Sequence, residues 1–262
     1  LRRPALKNGA AALIIALIAA AAALFLLPKD DERSGSLRIG CGDDISGIYT
    51  ERICEKAREE GLGESFAAQF TFADCCSNAA QWALETEDID LGFYCSAAAH
   101  SLVRALDGYE IYGPAVMNCE VLAVRKGEDP SEAKTLGVPR GREFLGSLTE
   151  GLYPAIGEKD QVNRGYLMYA LRSGDVDAVI ADISAVSALT EEADFYPLSS
   201  TDYISYCLVI RKDLKGTKAF ESFLRCLDLA AEELNGQEAQ EEVTGLDEDM
   251  LKAARLKFIG SI

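Results

Sequence analysis

Residues 174–182 read Gly174-Asp175-Val176-Asp177-Ala178-Val179-Ile180-Ala181-Asp182. A polar turn leading into an unbroken apolar run that closes on an acid is the pattern of a strand buried on both faces. Strands of that kind belong to parallel sheets covered by helices. Two upstream stretches have the same character: Asp88-Ile89-Asp90-Leu91-Gly92 runs into Phe93-Tyr94, and Leu37-Arg38-Ile39-Gly40-Cys41-Gly42 ends in the polar Asp43-Asp44.

Between these strands the apolar period changes to that of helices. Ile48, Ile53 and Ala57 predict a helix over 46–60, closed by Gly61. Residues 66–72 alternate as a strand, 73–78 turn into a helix ending near Glu85, and a further helix spans 97–106. Trp82, on the second of these helices, is expected in the core. The series βαβαβα specifies a parallel sheet with helices on its faces.

Strands are expected at 112–115 and 120–125, and the pattern then starts again. A strand at 136–139 precedes a helix over 142–152, an extended stretch at 161–163, a helix at 166–173, the strand at 177–182 and a helix start at 184–188. Residues 203–211 read as a strand running back, and two amphipathic helices, 217–234 and 247–258, finish the chain. Two βα blocks with extended crossings near 115–125 and 203–211 fit two lobes that exchange strands. Lobe one is then 36–117 plus 212–262, and lobe two is 118–211.

Composition bounds the partners. The net charge of the 262 residues is −17, while residues 1–28 carry Arg2, Arg3 and Lys7 and no acid, so the body is more acidic still. Such a body repels phosphate backbones, which excludes nucleic acid as a partner. Glu51, Glu55, Glu59, Glu232, Glu233 and Glu238 read as solvated helix faces.

The N-terminal basic residues precede an uncharged run from Gly9 to Leu27, followed by Pro28-Lys29-Asp30-Asp31-Glu32-Arg33. About 20 apolar residues span a bilayer as a helix, and positive charge ahead of the run places the body outside the cell. Phe25-Leu26-Leu27-Pro28 is bulky where a signal peptidase needs small residues, and Arg38 stands where a lipoprotein site before Cys41 needs an apolar one. The expectation is an uncleaved signal anchor with a tether, residues 1–35, at the extracytoplasmic face of the cell membrane. A cleaved, secreted form is the alternative.

The eight cysteines form no C-x-x-C, which argues against a zinc finger or thioredoxin motif. Cys41, Cys75, Cys76, Cys95 and Cys119 fall where strand ends and the first crossing would line a cleft. Cys54 and Cys226 lie within helices, where a disulfide between them is one alternative, and Cys207 lies in the return strand. Buried packing is the competing reading for each. The vicinal pair stands apart: at a strand-to-helix turn capped by Asp74, Ser77 or Asn78, both sulfurs can be aimed at one point. A helix start also lowers a neighbouring thiol pKa. Two thiolates so placed suit a soft metal or an organometal, and a strained regulatory disulfide between them is the other alternative.

The Leu37–Gly40, Asp88–Gly92 and Gly174–Asp182 stretches, in this order and spacing, resemble type 2 periplasmic binding proteins over nearly the whole body. The resemblance implies an α/β fold of two lobes, each a mixed, mostly parallel sheet flanked by helices. It implies a small ligand gripped between them by strand C-termini and helix N-termini, and ABC permease and ATPase subunits as partners, with no cofactor and no catalysis. The turn Asp74-Cys75-Cys76-Ser77 on this fold further resembles the substrate-binding subunits of the Sao ABC system, which exist in selenocysteine and cysteine forms. That resemblance implies an organomercurial or related ligand held by Cys75 and Cys76, one of them standing where a selenocysteine occurs.

Other ligand candidates are Asp44 and Ser46 at the first helix cap, Ser96 at the third helix start, Arg142 after the first strand of lobe two, and Asp182. Helix capping alone also accounts for Asp44, Ser46, Ser96 or Asp182. Arg140 is a weaker candidate, and His100, the only histidine, a packed or surface residue unless it joins Cys95 on a metal. Two further functions compete. One is an enzyme of the pyrimidine-precursor-synthase kind, disfavoured by the absence of a longer Cys run and by the membrane segment. The other is an anchored sensor or metal scavenger without a transporter.

Overall fold

The computed structural model describes residues 37–62, 66, 68–72, 78–86 and 88–261. The expected anchor and the Cys75-Cys76 turn with Ser77 therefore lie outside the described residues. No helix among the described residues is long and apolar enough to cross a membrane.

The chain begins β1 (Arg38–Gly42), α1 (Ile45–Glu59), β2 (Ala68–Phe72), α2 (Asn78–Glu85), β3 (Leu91–Cys95), α3 (Ser96–Ala105), β4 (Tyr109–Met117). It continues β5 (Glu120–Arg125), β6 (Thr135–Pro139), α4 (Phe144–Leu148), β7 (Glu158–Val162), α5 (Leu167–Ser173), β8 (Ala178–Asp182) and β9 (Ala193–Pro197). The return strand β10 (Ile204–Arg211), the helices α6 (Lys218–Leu234), α7 (Gln237–Thr244) and α8 (Glu248–Ala254), and β11 (Lys257–Phe258) complete it.

Two mixed sheets result. The first has the order β11-β4-β10-β3-β1-β2 and the second β7-β6-β8-β5-β9. Each contains a parallel triplet, β2-β1-β3 in one and β7-β6-β8 in the other, whose third strand is flanked by an antiparallel neighbour. In each triplet the chain starts at the centre and steps first to one side, then to the other. The crevice at such a reversal, outside the strand C-termini, is where open α/β sheets bind ligands.

The apolar run at 178–181 is buried on both faces, as its composition requires. Val179 and Ala181 join the larger core, which contains the first sheet, while Ala178 and Ile180 pack with Leu122, Leu136 and Val138 in a smaller one. The sheets are joined by β4 to β5 and by β9 to β10. At the first crossing Asn118 adopts φ 58, a left-handed conformation that asparagine tolerates better than most residues. Its side chain donates to Asp202 (3.1 Å) and the Arg255 carbonyl (2.9 Å) and accepts from the Tyr203 amide (2.9 Å), so the two crossings are tied together.

Several expectations are corrected. Trp82 is 62% exposed: Ala80 and Leu84 turn the inner face of α2 to the core, and a residue midway between them faces outward. The helix expected over 142–152 is a short α4 followed by a 3-10 turn at Thr149–Gly151. The last helix stops at Ala254, because Arg255 takes a left-handed φ of 60, and 257–258 form a strand on β4 instead. β9 and α7 were not anticipated, and β10, grouped by sequence with the second lobe, pairs in the first sheet.

Candidate functional site

The site is built outward from Asp44. β1 ends at Gly42, and the chain turns into α1 with Asp44 as its N-cap, accepting from the Ser46 amide at 3.0 Å and the Ser46 hydroxyl at 2.6 Å. Ser46 Oγ in turn accepts from the Gly42 amide at 2.9 Å. A Cβ at Gly42 would lie 2.3 Å from an Asp44 carboxylate oxygen, so only glycine leaves room for this folded-back cap. Capping fixes one carboxylate oxygen and leaves Oδ2 directed across the crevice. That atom accepts from Tyr206 Oη on β10 (2.6 Å) and from Arg164 Nη1, which follows β7 in the second sheet (2.9 Å). Arg164 also donates to the Asp43 carbonyl at 3.0 Å.

The second sheet returns the contact. Asp182, the last residue of β8, caps the 3-10 turn at 183–188 by accepting from the Ser184 amide and hydroxyl. The same oxygen accepts from the Ile45 amide at the start of α1, at 3.3 Å. Two carboxylates therefore share one helix N-terminus, where unpaired amides favour negative charge. Beside them Glu120, at the start of β5, binds Arg142 Nη1 (2.7 Å) and the Ser205 hydroxyl (2.6 Å). The Arg142 guanidinium lies 4.7 Å over the Tyr206 ring, a cation–π contact.

What remains between these groups is a cavity of about 30 Å³, lined by Glu120, Arg142, Arg164, Asp182, Tyr206 and their apolar neighbours. That is room for roughly one water molecule. The crevice is closed on its own side chains.

Its two aspartates are electrostatically unlike. Burial raises the Asp44 pKa, but Arg164, the hydrogen bonds from Ser46 and Tyr206, and Arg142 outweigh it and hold the carboxyl below its ordinary value. Asp182 is pushed up to about 7, first by burial and then by the charge of Asp44, which Arg164 only partly offsets. Asp182 Oδ2 is buried and has no hydrogen-bond partner among the described residues. Arg164 stays above its usual value: burial opposes its charge, and Asp44 and Asp182 more than restore it.

Of the residues singled out in the sequence, Asp44, Ser46, Arg142 and Asp182 are brought together here, with Arg140 at the rim. Capping and cross-crevice contact turn out to coexist at Asp44 and at Asp182. Ser96 opens α3 and is not among the residues that line the cavity. Cys95 and Cys119 are fully buried and do not line the cavity. The Cys119 thiol is pushed well above its ordinary value by burial, then by Glu120 and Asp182. Burial likewise raises Cys41 and Cys207, each to about 11. Cys54 and Cys226 are buried in the larger core, and His100 is exposed. Among the described residues, no group of three or more His, Cys, Asp or Glu is placed to hold a metal ion.

Sequence reading missed Arg164, Glu120 and Tyr206. Arg164 was legible by position: it follows β7 as Arg142 follows β6, both at strand C-termini.

Paired parallel triplets, two strand crossings and a polar crevice between the sheets define a two-sheet α/β fold. No family model matches the sequence, and no curated protein matches it. Solved structures do. The ligand-binding component of an ABC-type import system from Staphylococcus aureus, with zinc bound, superposes with a TM-score of 0.70 at 11% identity over 87% of this chain and 86% of that one. An alkanesulfonate-binding protein from Xanthomonas axonopodis pv. citri, bound to MOPS, gives 0.57 at 15% identity over 84% and 83%. A nutrient-binding protein from Burkholderia cenocepacia, bound to methionine, gives 0.55 at 16% over 77% and 96%. At such identities the likeness establishes the fold, and the function rests on the site.

Proposed function

We propose that the protein is the extracytoplasmic solute-binding component of an ABC importer, tethered to the membrane by its N-terminal apolar segment. Two lobes, one built on each sheet, close over a small solute and hand it to a permease served by an ATPase. One observation carries this reading: the Asp44–Arg164 ion pair and the Ile45–Asp182 hydrogen bond join the sheets directly across the crevice. Bonds of that kind must break for anything to enter, and lobe closure is a recognised mode of ligand capture. The similar structures, an import-system component among them, support it.

Native mass spectrometry of the full chain, purified gently from its host and from cells grown on rich medium, tests the proposal. A stoichiometric small-molecule adduct, lost on mild unfolding, is expected. A chain that never carries or acquires an adduct is not a solute receptor.

A second reading concerns the vicinal thiols. β2 ends at Phe72, whose carbonyl accepts from the Asp43 amide at 3.0 Å, so the sequence Asp74-Cys75-Cys76-Ser77 follows a strand that ends beside the Asp44 cap. On this reading an organomercurial or soft metal is the cargo, and Cys75 and Cys76 hold it. Methylmercury added to the reduced chain should then give an adduct that Cys75→Ser/Cys76→Ser abolishes. Undiminished binding by the double variant would remove this reading and leave the first in place.

A further inference from the structure

Three carboxyl groups meet two guanidinium groups across the crevice. Glu120 is paired with Arg142 at 2.7 Å and Asp44 with Arg164 at 2.9 Å. Asp182 lines the same cavity and forms no ion pair among the described residues. Its Oδ1 accepts from the Ser184 amide and hydroxyl and from the Ile45 amide of the other sheet, while its Oδ2 is enclosed.

With all three acids ionised, this cluster carries one negative charge in excess. With a proton on Asp182 it is neutral. One water molecule, for which the cavity has room, bonds Oδ2 equally in either state but brings no charge. The Arg142 guanidinium lies in the same wall, yet Glu120 already matches its charge, and sharing it between two carboxylates still leaves three acids to two cations. Arg140 is exposed at the rim, where water and salt screen it. The Cys119 thiol keeps its proton, and the Tyr206 hydroxyl donates to Asp44, so neither supplies a cation. A buried charge without a counter-ion is strongly unfavourable.

That excess belongs to the shut arrangement alone. Asp44 and the Ile45 amide are part of the first sheet's side of the crevice, Asp182 and Arg164 of the second's. Parting the lobes takes Asp182 away from Asp44 and admits water to Oδ2, and both changes favour the ionised carboxylate. The Ile45 amide opposes this trend when the crevice is shut, but its bond is long at 3.3 Å, and a neutral carboxyl oxygen accepts it too. The Asp182 pKa, raised to about 7 by burial and then by Asp44, moves in the direction this arrangement requires.

Building on the solute-binding reading, we infer that closure of the ligand-free crevice is proton-linked: the lobes shut as Asp182 takes one proton from solvent and part as it returns it. The Asp44–Arg164 pair is the latch, and the Asp182 carboxyl sets how firmly that latch holds at a given acidity. A chain shut on itself withholds its crevice from solute in proportion to the shut fraction, so acid outside the cell weakens capture.

Residue-resolved hydrogen exchange of the full, ligand-free chain in detergent tests the inference. Ile45 is buried and its amide bond to Asp182 spans the crevice, so protection of that amide reports the shut fraction. Corrected for the intrinsic rate at each acidity, it should fall at least about tenfold between about pH 5 and pH 8. Amides of β3, inside the first sheet, should stay far better protected throughout; equal protection would mean exchange by unfolding alone and would overturn the inference. In Asp182→Asn the Ile45 profile should be flat, with circular dichroism confirming the fold. Difference infrared titration of the unsubstituted chain needs no variant: the band of one protonated carboxyl should vanish over the interval in which protection falls. Protection that ignores acidity in the parent chain, a slope retained in Asp182→Asn, or a carboxyl band already lost at about pH 5 each shows the inference to be wrong. All of these leave the solute-binding reading to its own test, the co-purified adduct, which reads mass and not acidity.

Discussion

Asp90, which is buried, and Asp182, which is half-buried with its Oδ2 atom enclosed, both sit at strand ends, and the surroundings give them opposite roles. Asp90 immediately precedes β3, at the N-terminal end of that interior strand and so at the end of the first sheet remote from the crevice. It accepts from the Arg38 amide (3.0 Å), Nε (3.1 Å) and Nη2 (2.9 Å), and from Arg211 Nη1 (2.5 Å). Burial works against its charge, but the Arg38 hydrogen bonds and Arg211 prevail and lower its pKa. Asp182 has one oxygen saturated and one open, with another acid as its neighbour, and its pKa moves the other way. A carboxylate whose acceptor sites are all filled by the fold belongs to the fold. One left half-filled in a cavity is available to a ligand.

The largest expected effect comes from removing the saturated member. Asp90→Ala leaves two arginines and a backbone amide without their acceptor, and a loss of about 3 kcal/mol is expected in urea unfolding, in line with breaking a buried pair. Asp182→Asn should change stability by less than about 1 kcal/mol in either direction, since the amide keeps an acceptor for Ser184 and removes a carboxylate that repels Asp44. Equal losses for the two variants would erase the distinction.

Next is the latch. Arg164→Ala removes the ion pair that spans the crevice, but Arg164 is about a third exposed and Asp44 keeps Ser46 and Tyr206. A loss of roughly 1–2 kcal/mol is expected, together with a larger radius of gyration in X-ray scattering as the empty crevice opens. Scattering unchanged from that of the parent chain would show that other contacts hold the sheets together.

Acidity separates the two aspartates without mutation. The folded-state pKa of Asp182, about 7, lies above the unperturbed value of about 3.9. The folded chain therefore binds the extra proton between these values, and the contribution of Asp182 to stability falls as pH rises from about 4 through 7. Asp90 and Asp44, with lowered pKa values, act in the opposite sense: their contribution is present above about pH 4 and lost as pH falls below it. Arg164, Glu120 and Cys119 face the same cluster; Arg164 and the raised Cys119 thiol hold their protons across this window. Unfolding free energy measured against pH should slope downward between about 5 and 7 in the parent chain and lose that slope in Asp182→Asn. A parallel slope in the variant would assign it to another group.

How legible these roles were in the sequence follows from what each depends on. Strands buried on both faces are local: Ala178-Val179-Ile180-Ala181 declares itself by composition, and the βα alternation around it fixes the two triplets. Asp44, Ser46, Arg142 and Asp182 were found because strand C-termini in such sheets face the crevice. Arg164 and Tyr206 were missed because their partner Asp44 lies more than a hundred positions away, in the other sheet for Arg164 and two strands across the same sheet for Tyr206, and no local period marks them. Cys95 and Cys119 misled for a related reason. A strand end that looks open in one dimension is covered in three, as Cys95 is by β10, where Tyr206 is its register partner. Trp82 erred in the other direction, since a large apolar side chain on a helix with one inner face has no claim to that face beyond its spacing.

The smallest expected effect checks whether pairing or burial sets the weight of a charge in this chain. Arg225 on α6 and Glu60 at the end of α1 form an ion pair too, but the arginine is 66% exposed and the acid 30%. In water the Coulomb gain is small and the long side chains lose freedom in meeting. Arg225→Ala should therefore shift the urea midpoint by the equivalent of no more than about 0.5 kcal/mol, and added salt should erase even that. A loss approaching that of Asp90→Ala would mean that contact alone governs the energetics. The open oxygen of Asp182, defined by burial without a partner, would then lose its claim to mark the binding site.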